Sequence, residues 1–267
     1  MGVARTDEWL KEYAYDPVKM CSLACPNIKE SKDFYQYLTL FGMYRPARNI
    51  EAVVKKMKEQ GAWEKIRSYY SKYQTKWNGP RIQIYIFPIQ TNSSYWMKHF
   101  LGKSGVSFPD KIFLFLSPFN DEKEWESIFV HEYHHSARLH ALGSVPEKNT
   151  LPDSLVLEGL AEFAVASCCG ESYRSSWTRQ YSESILARYW KQVYIKHLTV
   201  SREDRLHDDL LFGRRGIPPM MGYAMGDRIV QGYKRLSGMP VEESIGIKAA
   251  ELVHSNEFTL HQSEIVL

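Results

Sequence analysis

The sequence predicts an α+β fold, in which a small sheet packs on one long helix and a mainly helical C-terminal lobe follows. Two short apolar segments near the middle of the chain have strand composition, and most other segments repeat apolar residues at helical spacing. The length of 267 residues, with 44% hydrophobic content, suffices to bury a full core. We therefore expect a single domain over 1–267, with lobes at 1–143 and 144–267.

The predicted sheet comes from three segments. The chain is helical in pattern until the break at Gly79 and Pro80. Arg81 to Phe87 then alternates as a strand with its isoleucines on one side, whereas Lys111 to Leu116 is nearly continuously apolar, as in a strand covered on both faces. Between them, the polar, glycine-containing segment from Gly102 to Pro109 is a candidate edge strand.

A long helix is predicted directly after the sheet. Asn120 and Asp121 offer oxygens for its N-cap, Glu124 completes a capping-box-like pattern with Asp121, and Gly143 supplies a stop. This helix carries V-H-E-Y-H-H-S-A-R-L-H over residues 130–140, and with it the pattern H-E-x-x-H.

The spacing within H-E-x-x-H predicts a zinc site. Residues four apart lie on one face of a helix, so His131 and His135 can present their imidazoles to one ion while Glu132 stands beside it. So short a pattern also arises by chance, and these histidines could belong to a solvated face. The zinc interpretation gains weight from a second helical segment that offers a third ligand.

That second helix is expected to start at a cap on Asp153 or Ser154 and to end near Gly170. Glu158 and Glu162 lie one turn apart on it among apolar neighbours, and buried carboxylates are rare unless they are paired or bind a metal. One of them fits a metal ligand, and the other fits a partner that accepts a hydrogen bond from a ligand imidazole. The alternative is an ordinary surface pair.

The rest of the chain is predicted to be helical. The helical segments are Tyr181 to Leu198, Glu203 to Phe212, Gly222 to Leu236 and Glu242 to Val253. Tyr223, in G-Y-A-M-G after two prolines, stands out as a hydroxyl on a tight glycine-flanked turn, able to approach another backbone.

Composition and charge argue against several function classes. A net charge of +3 provides no concentrated basic surface for nucleic acid, and no run approaches the roughly 18 apolar residues of a membrane span. The N-terminal segment is charged and lacks the apolar stretch of a signal peptide. The four cysteines fit reduced thiols better than disulfides or zinc fingers. We expect a soluble, cytoplasmic protein that binds neither nucleic acid nor membrane.

H-E-Y-H-H at 131–135 with E-G-L-A-E at 158–162 resembles the gluzincin arrangement of metallopeptidases. Together with G-Y-A-M-G at 222–226, these motifs resemble the bacterial YjaZ-like family of zinc-dependent proteases, whose physiological function is unknown. The resemblance covers roughly the last two-thirds of the chain. It implies a zincin-like fold, a cytoplasmic bacterial protein, zinc held by His131, His135 and Glu158, and Glu132 as general base.

The metzincin subclass is excluded by two positions. Its extended motif requires glycine at 138 and histidine at 141, where this sequence has Arg138 and Ala141. His140 is one residue out of register, about 100° round the helix, and His134 should be turned away from the ligands.

These residues together predict a zinc metallopeptidase that acts on a peptide or protein substrate. Three protein ligands leave a zinc position for water, and Glu132 can accept that water's proton and pass it to the leaving amine. Tyr223 is the first candidate to stabilise the oxyanion, and His207 and Arg214 are weaker ones. The alternative is a non-catalytic zinc-binding or chaperone-like module, but a structural site has no use for a carboxylate at Glu132.

Overall fold

The computed structural model describes residues 1–90, 102–118, 121–143 and 148–255. The chain divides into two compact units, Met1–Ser136 and Ala137–Leu267. The described residues form eleven α-helices and one small mixed sheet, so the predicted α+β class is confirmed. None of the described helices has the length and apolar composition needed to cross a bilayer. The single domain with lobes at 1–143 and 144–267 stays a prediction.

The first unit begins with a two-residue strand and five helices. In chain order these are β1 (Gly2–Val3), α1 (Thr6–Tyr13), α2 (Pro17–Ala24), α3 (Ser31–Leu40), α4 (Ile50–Glu59) and α5 (Ala62–Trp77). Each helix buries one apolar face, with Leu10, Met20, Leu38, Met57 and Trp63 among the core residues. Strand β1 is too short to show an alternation, which is why the sequence did not predict it.

The sheet has four strands in the order β1-β2-β4-β3. The remaining strands are β2 (Gln83–Pro88), β3 (Lys103–Ser107) and β4 (Lys111–Leu116). Strands β1, β2 and β4 are parallel, and β3 pairs antiparallel to β4 at the edge, as predicted for that segment.

Strand β2 differs from its prediction in two ways. It spans Gln83–Pro88 rather than Arg81 to Phe87, and both of its faces are buried, because Tyr85 and Phe87 lie in the core together with the isoleucines. In a strand with one solvated face, polar residues would stand at the positions of Tyr85 and Phe87. Strand β2 belongs to the parallel part of the sheet, and parallel strands are usually covered on both faces.

Helix α6 (Lys123–Ala141) carries the H-E-x-x-H pattern, as predicted. Asp121 caps its first turn, because its carboxylate accepts a hydrogen bond from the Lys123 backbone N–H at 2.9 Å. Asn120, the other predicted cap, lies outside the described residues. Gly143 follows the helix with a φ of 55° and donates its N–H to the His140 carbonyl, as expected of a C-terminal stop.

In the second unit, helix α7 (Leu151–Cys169) starts earlier than predicted. Its N-cap is Thr150, so the predicted cap at Asp153 or Ser154 is wrong. Asp153 lies in the first turn and accepts a hydrogen bond from the Thr150 backbone N–H at 2.9 Å, which forms a capping box. Pro152 is compatible with this start because a first-turn residue needs no N–H donor. Gly170 ends the helix, as predicted.

Helix α10 (Met221–Ser237) packs very closely against α7. A Cβ on Gly226 would overlap the Leu155 carbonyl oxygen, and a Cβ on Gly159 would overlap the Gly226 carbonyl. Tyr223 lies in the first turn of α10, so its predicted place on a tight turn is wrong. The glycines of G-Y-A-M-G serve helix packing, since Gly222 likewise touches the backbone at Leu211.

This crossing predicts a stability effect. We expect Gly226→Ala to lower the free energy of unfolding by about 3 kcal/mol, because the added methyl group must push two backbones apart. Gly246→Ala is the matched control, since a Cβ there meets nothing within 4 Å. Urea unfolding of both variants measures the difference. Equal midpoints for the two variants would contradict the close crossing.

The remaining helices are shorter than predicted. They are α8 (Glu183–Gln192), α9 (Arg205–Phe212) and α11 (Ala249–His254), with short 3-10 helices at Glu171–Tyr173, Ser176–Arg179, Tyr194–Lys196 and Glu243–Ile245. The predicted helix from Tyr181 to Leu198 is interrupted at Val193, whose φ of -123° and ψ of -68° are not helical.

The predicted helix from Glu242 to Val253 is also wrong as one continuous element. Arg138 gives the physical reason, because its buried guanidinium donates hydrogen bonds to the carbonyls of Ser244 and Ile247. A continuous helix would use those carbonyls internally. Gly246, a poor helix former, lies between them.

Candidate metal centre

Aromatic packing in the first unit fixes the rotation of helix α6. The Tyr133 ring stacks on Phe129 with centroids 5.5 Å apart and on Trp77 with centroids 6.0 Å apart. The Tyr133 hydroxyl donates a hydrogen bond to the Pro80 carbonyl at 3.0 Å. Because side chains one turn apart share a face, these contacts also determine where the neighbouring histidines lie.

His131 and His135 share one face of α6, as predicted. Their ring centroids are 4.6 Å apart, and the rings are nearly perpendicular, at 85°. His134 is buried and packs edge-on against Trp77, with centroids 5.5 Å apart, so it is turned away from that pair as predicted. His140 is exposed near the end of the helix.

One donor atom from each of His131, His135 and Glu158 lies within 4.8 Å of the other two. His135 is buried, and the other two side chains are partly exposed. Two imidazoles and a carboxylate form the donor set that zinc uses in sites with an open coordination position. This group could hold a metal ion, and it is the one such cluster within the described ranges.

Glu132 is buried, with 5% of its surface exposed, and it contacts edge strand β3. The Ser107 hydroxyl lies 2.5 Å from the Glu132 carboxylate and 2.8 Å from its backbone carbonyl. A Cβ on Gly105 would come within 2.6 Å of Glu132 Cγ, so the strand needs glycine there. Sequence reasoning missed both residues. The available signal was the small side chains of the polar strand that precedes β4 and the helix.

Glu162 is almost fully buried, with 1% of its surface exposed. Its carboxylate accepts hydrogen bonds from the Ser175 backbone N–H at 2.7 Å and from the Ser175 hydroxyl at 2.9 Å. These bonds compensate part of the cost of burying a carboxylate and exclude an ordinary surface pair. The predicted hydrogen bond from His131 to Glu162 stays a prediction. Ser175 lies outside every motif, which is why the sequence did not reveal it.

A buried ion pair lies in the same unit as Glu162. The Arg174 guanidinium pairs with Asp227 and, at 3.0 Å, with Glu171. Burial raises the pKa of the Asp227 carboxyl to about 6, and the charge of Glu162 adds to that rise, whereas Arg174 opposes it. The effect of Glu162 on the pKa of Asp227 indicates that the two carboxyls belong to one electrostatic cluster.

The three candidates for stabilising an oxyanion have different surroundings. The Tyr223 ring packs against Trp177 with centroids 5.2 Å apart and against Phe212 with centroids 5.8 Å apart. Both ring nitrogens of His207 have partners, with Nε2 at 2.9 Å from the Ser154 hydroxyl and Nδ1 at 3.1 Å from a neighbouring aspartate. Arg214 is exposed. His207 therefore has a structural role, which leaves Tyr223 as the stronger candidate.

The fold and this group of residues define an α+β protein in which an H-E-x-x-H helix and helix α7 together contribute a potential metal-binding group. The model of the family described as "Predicted Zn-dependent protease (DUF2268)" matches residues 62–254. The chain belongs to this family, as its resemblance to the YjaZ-like proteases predicted.

Two relatives come from Bacillus subtilis (strain 168). The chain is 32% identical over 255 residues to the uncharacterized protein YjaZ, a match that covers 93% of this chain and 97% of the relative. It is 24% identical over 190 residues to the uncharacterized protein YjfC, which covers 67% of this chain and 62% of that relative. No solved structure matches the chain.

Proposed function

We propose that this protein is a zinc metallopeptidase with a zincin-like fold, which hydrolyses peptide bonds in a peptide or protein substrate. The observation that carries the proposal is the proximity of His131, His135 and Glu158 donor atoms, with Glu132 next to the first histidine. The description of the family as predicted Zn-dependent proteases supports the same conclusion.

The donor set fits zinc better than the common alternatives. Calcium and magnesium prefer all-oxygen sites, whereas zinc accepts imidazole nitrogen and carboxylate oxygen together. His131, His135 and Glu158 would hold the ion, and three protein ligands are typical of catalytic rather than structural zinc. When bound, zinc lowers the pKa of a coordinated water to about 7 and polarises a carbonyl group.

Glu132 would act as the general base. Its carboxylate accepts a proton from the attacking water and then delivers it to the nitrogen of the leaving amine. The Ser107 hydroxyl, at 2.5 Å, orients that carboxylate, and Gly105 leaves room for it. Because Glu132 is buried, its proton transfers take place away from bulk water.

Glu162 and Tyr223 complete the proposed site. Glu162 would accept a hydrogen bond from the distal N–H of His131 and so orient a metal ligand, while its bonds to Ser175 keep its own carboxylate in place. The phenol of Tyr223 would donate a hydrogen bond to the developing oxyanion, with Trp177 and Phe212 limiting the rotation of its ring.

Zinc content and cleavage of an unfolded, fluorescently labelled protein test the proposal together. We expect about one zinc per chain, cleavage that stops on chelation, and recovery on adding zinc back. His140→Ala serves as a control, because this exposed histidine lies on the same helix outside the donor group. Stoichiometric zinc without cleavage of any unfolded protein or peptide would instead support the non-catalytic module.

The contact between Ser107 and Glu132 yields a further prediction. We expect Ser107→Ala to lower kcat roughly 10-fold with KM little changed, because one hydrogen bond to a charged group is lost. Steady-state kinetics on a peptide substrate measures both constants. Ser104→Ala makes the same chemical change on the same strand and should leave kcat near that of the unmodified protein. Identical kinetics for the two variants would contradict the positioning role of Ser107.

Glu162 gives another prediction. We expect Glu162→Gln to weaken zinc affinity roughly 10- to 100-fold without emptying the site, as is typical when a partner of a metal ligand is changed. Competition with a chromophoric chelator measures the affinity. If Glu162→Gln empties the site while Glu158→Gln keeps it filled, the two glutamates have exchanged roles. An unchanged affinity would remove Glu162 from the site.

A further inference from the structure

A cavity of about 370 Å³ lies beside helix α9 in the second unit. This volume is near the lower end of the range for small-molecule sites. Its apolar lining consists of Val193, Leu206, Leu210 and Ile217. The cavity could therefore enclose the apolar part of a small ligand, and its polar lining determines which ligand chemistry it favours.

The polar lining carries an excess of positive charge. Arg205, Arg214 and Arg215 line the cavity together with His197. In the described part of the chain, Arg205 and Arg214 form no ion pair, and the Arg214 guanidinium lies over the ring of Phe212 at 5.1 Å. Both guanidinium groups thus keep their hydrogen-bonding capacity for a ligand or for water.

The two acidic residues in the lining already have partners within the fold. Asp204 caps α9, because its carboxylate accepts a hydrogen bond from the Leu206 backbone N–H at 2.8 Å. Asp209 pairs with Arg215 at 3.1 Å, and its side chain is largely buried. With three arginines and two aspartates, the lining keeps a formal charge of +1, and neither aspartate contacts the guanidinium groups of Arg205 and Arg214 among the described contacts.

The loop that carries two of the arginines is closely held. The Arg214 backbone N–H donates a hydrogen bond to the Asp209 carbonyl at 2.8 Å, and Arg215 has a φ of 50°. Gly213 has a φ of 73°, and a Cβ there would overlap the Pro218 carbonyl. Arginines on a fixed backbone lose less conformational entropy when they bind a ligand. The backbone at Arg214 is therefore fixed, and its exposed side chain can reach a ligand in the cavity.

We propose that this cavity binds a small phosphate monoester with an apolar body. A guanidinium group forms paired, charge-assisted hydrogen bonds with phosphate oxygens. A phosphate monoester has three terminal oxygens that can accept hydrogen bonds from both Arg205 and Arg214, whereas a carboxylate has only two oxygens, which one guanidinium group can occupy. The apolar residues of the cavity contact the body of the ligand.

Calorimetric titration with phenyl phosphate tests the proposal, with inorganic phosphate and benzoate as comparisons. Phenyl phosphate should bind at least about 10-fold more tightly than either, because only it has both the dianionic group and the apolar ring. Its affinity should fall as salt is added, since the attraction is partly screened. Equal affinity for benzoate, or no binding of phenyl phosphate at millimolar concentration, would overturn the proposal.

Substitutions of the two arginines test whether phenyl phosphate binds in this cavity. Arg205→Gln and Arg214→Gln should each weaken phenyl phosphate binding roughly 10-fold, and the double variant should abolish it. Arg202→Gln is the matched control, because this exposed arginine precedes α9 and does not line the cavity. Circular dichroism verifies the fold of each variant. Binding that persists in the double variant, or that disappears when a chelator removes zinc, would place phenyl phosphate elsewhere and refute this site.

Discussion

Glu132→Gln is expected to retain zinc and to lose nearly all peptide-bond hydrolysis. The amide cannot accept the proton of the attacking water, so kcat should fall by roughly 10²- to 10⁴-fold, the usual contribution of a general base. The ligand atoms of His131, His135 and Glu158 are unaffected by the change, so about one zinc per chain should remain. Metal analysis and steady-state kinetics on the same preparation test both halves of this expectation.

The control for this variant is Glu51→Gln, which makes the same chemical change on the exposed surface of helix α4. Its zinc content and kcat should equal those of the unmodified protein. Undiminished turnover in Glu132→Gln would remove Glu132 as general base. Loss of zinc from Glu132→Gln would show that Glu132 supports the metal, so that its effect on kcat could no longer be assigned to proton transfer.

The two helices that carry the donor group could be predicted from the sequence, because each has a strong local signal. Helix α6 follows an apolar strand, and its histidines recur at the helical period. Helix α7 is apolar nearly all round, so two glutamates within it indicate buried carboxylates. Strand β4 was also predicted with its observed limits, since a short, continuously apolar run suits a buried strand.

The supporting contacts could not be predicted in the same way. Ser107 reaches Glu132 only because β3 folds back antiparallel to β4, and Ser175 reaches Glu162 only through the turns that follow α7. Both contacts depend on where the chain returns in space, and hydrophobic periodicity contains no information on that. The close crossing of α7 and α10 at Gly226 also depends on tertiary packing. From the sequence, G-Y-A-M-G was interpreted as containing a tight turn.

Helix ends were the least predictable features. The capping box that Asp153 forms with Thr150 starts α7 at Leu151, and tertiary hydrogen bonds from Arg138 ended the helical pattern at residues 244–247. Propensity alone cannot anticipate a guanidinium that comes from a helix more than a hundred residues earlier in the chain. In both places a local preference gave way to a specific partner.

The second large effect is expected on zinc occupancy, when a metal ligand is removed. We expect His131→Ala and Glu158→Ala each to abolish stoichiometric zinc, because each removes one of only three protein donors in the proposed site. Hydrolysis should disappear with the metal. Metal analysis of the purified variants measures occupancy, and His140→Ala, on the same helix as His131, should retain zinc.

These variants distinguish the third ligand from its alternatives. A Glu158→Ala protein that keeps full zinc occupancy would move the third ligand to another residue, with Glu162 the first to be tested, because it lies one turn further along α7. Thermal unfolding supplies an independent measurement, since a ligand that binds only the folded state stabilises it. The unmodified protein should unfold at a lower temperature after chelation, whereas Glu158→Ala should show no such change. If chelation lowers the unfolding temperature of both the unmodified protein and Glu158→Ala, Glu158 is not a ligand. This conclusion holds even if the purified samples contain little metal.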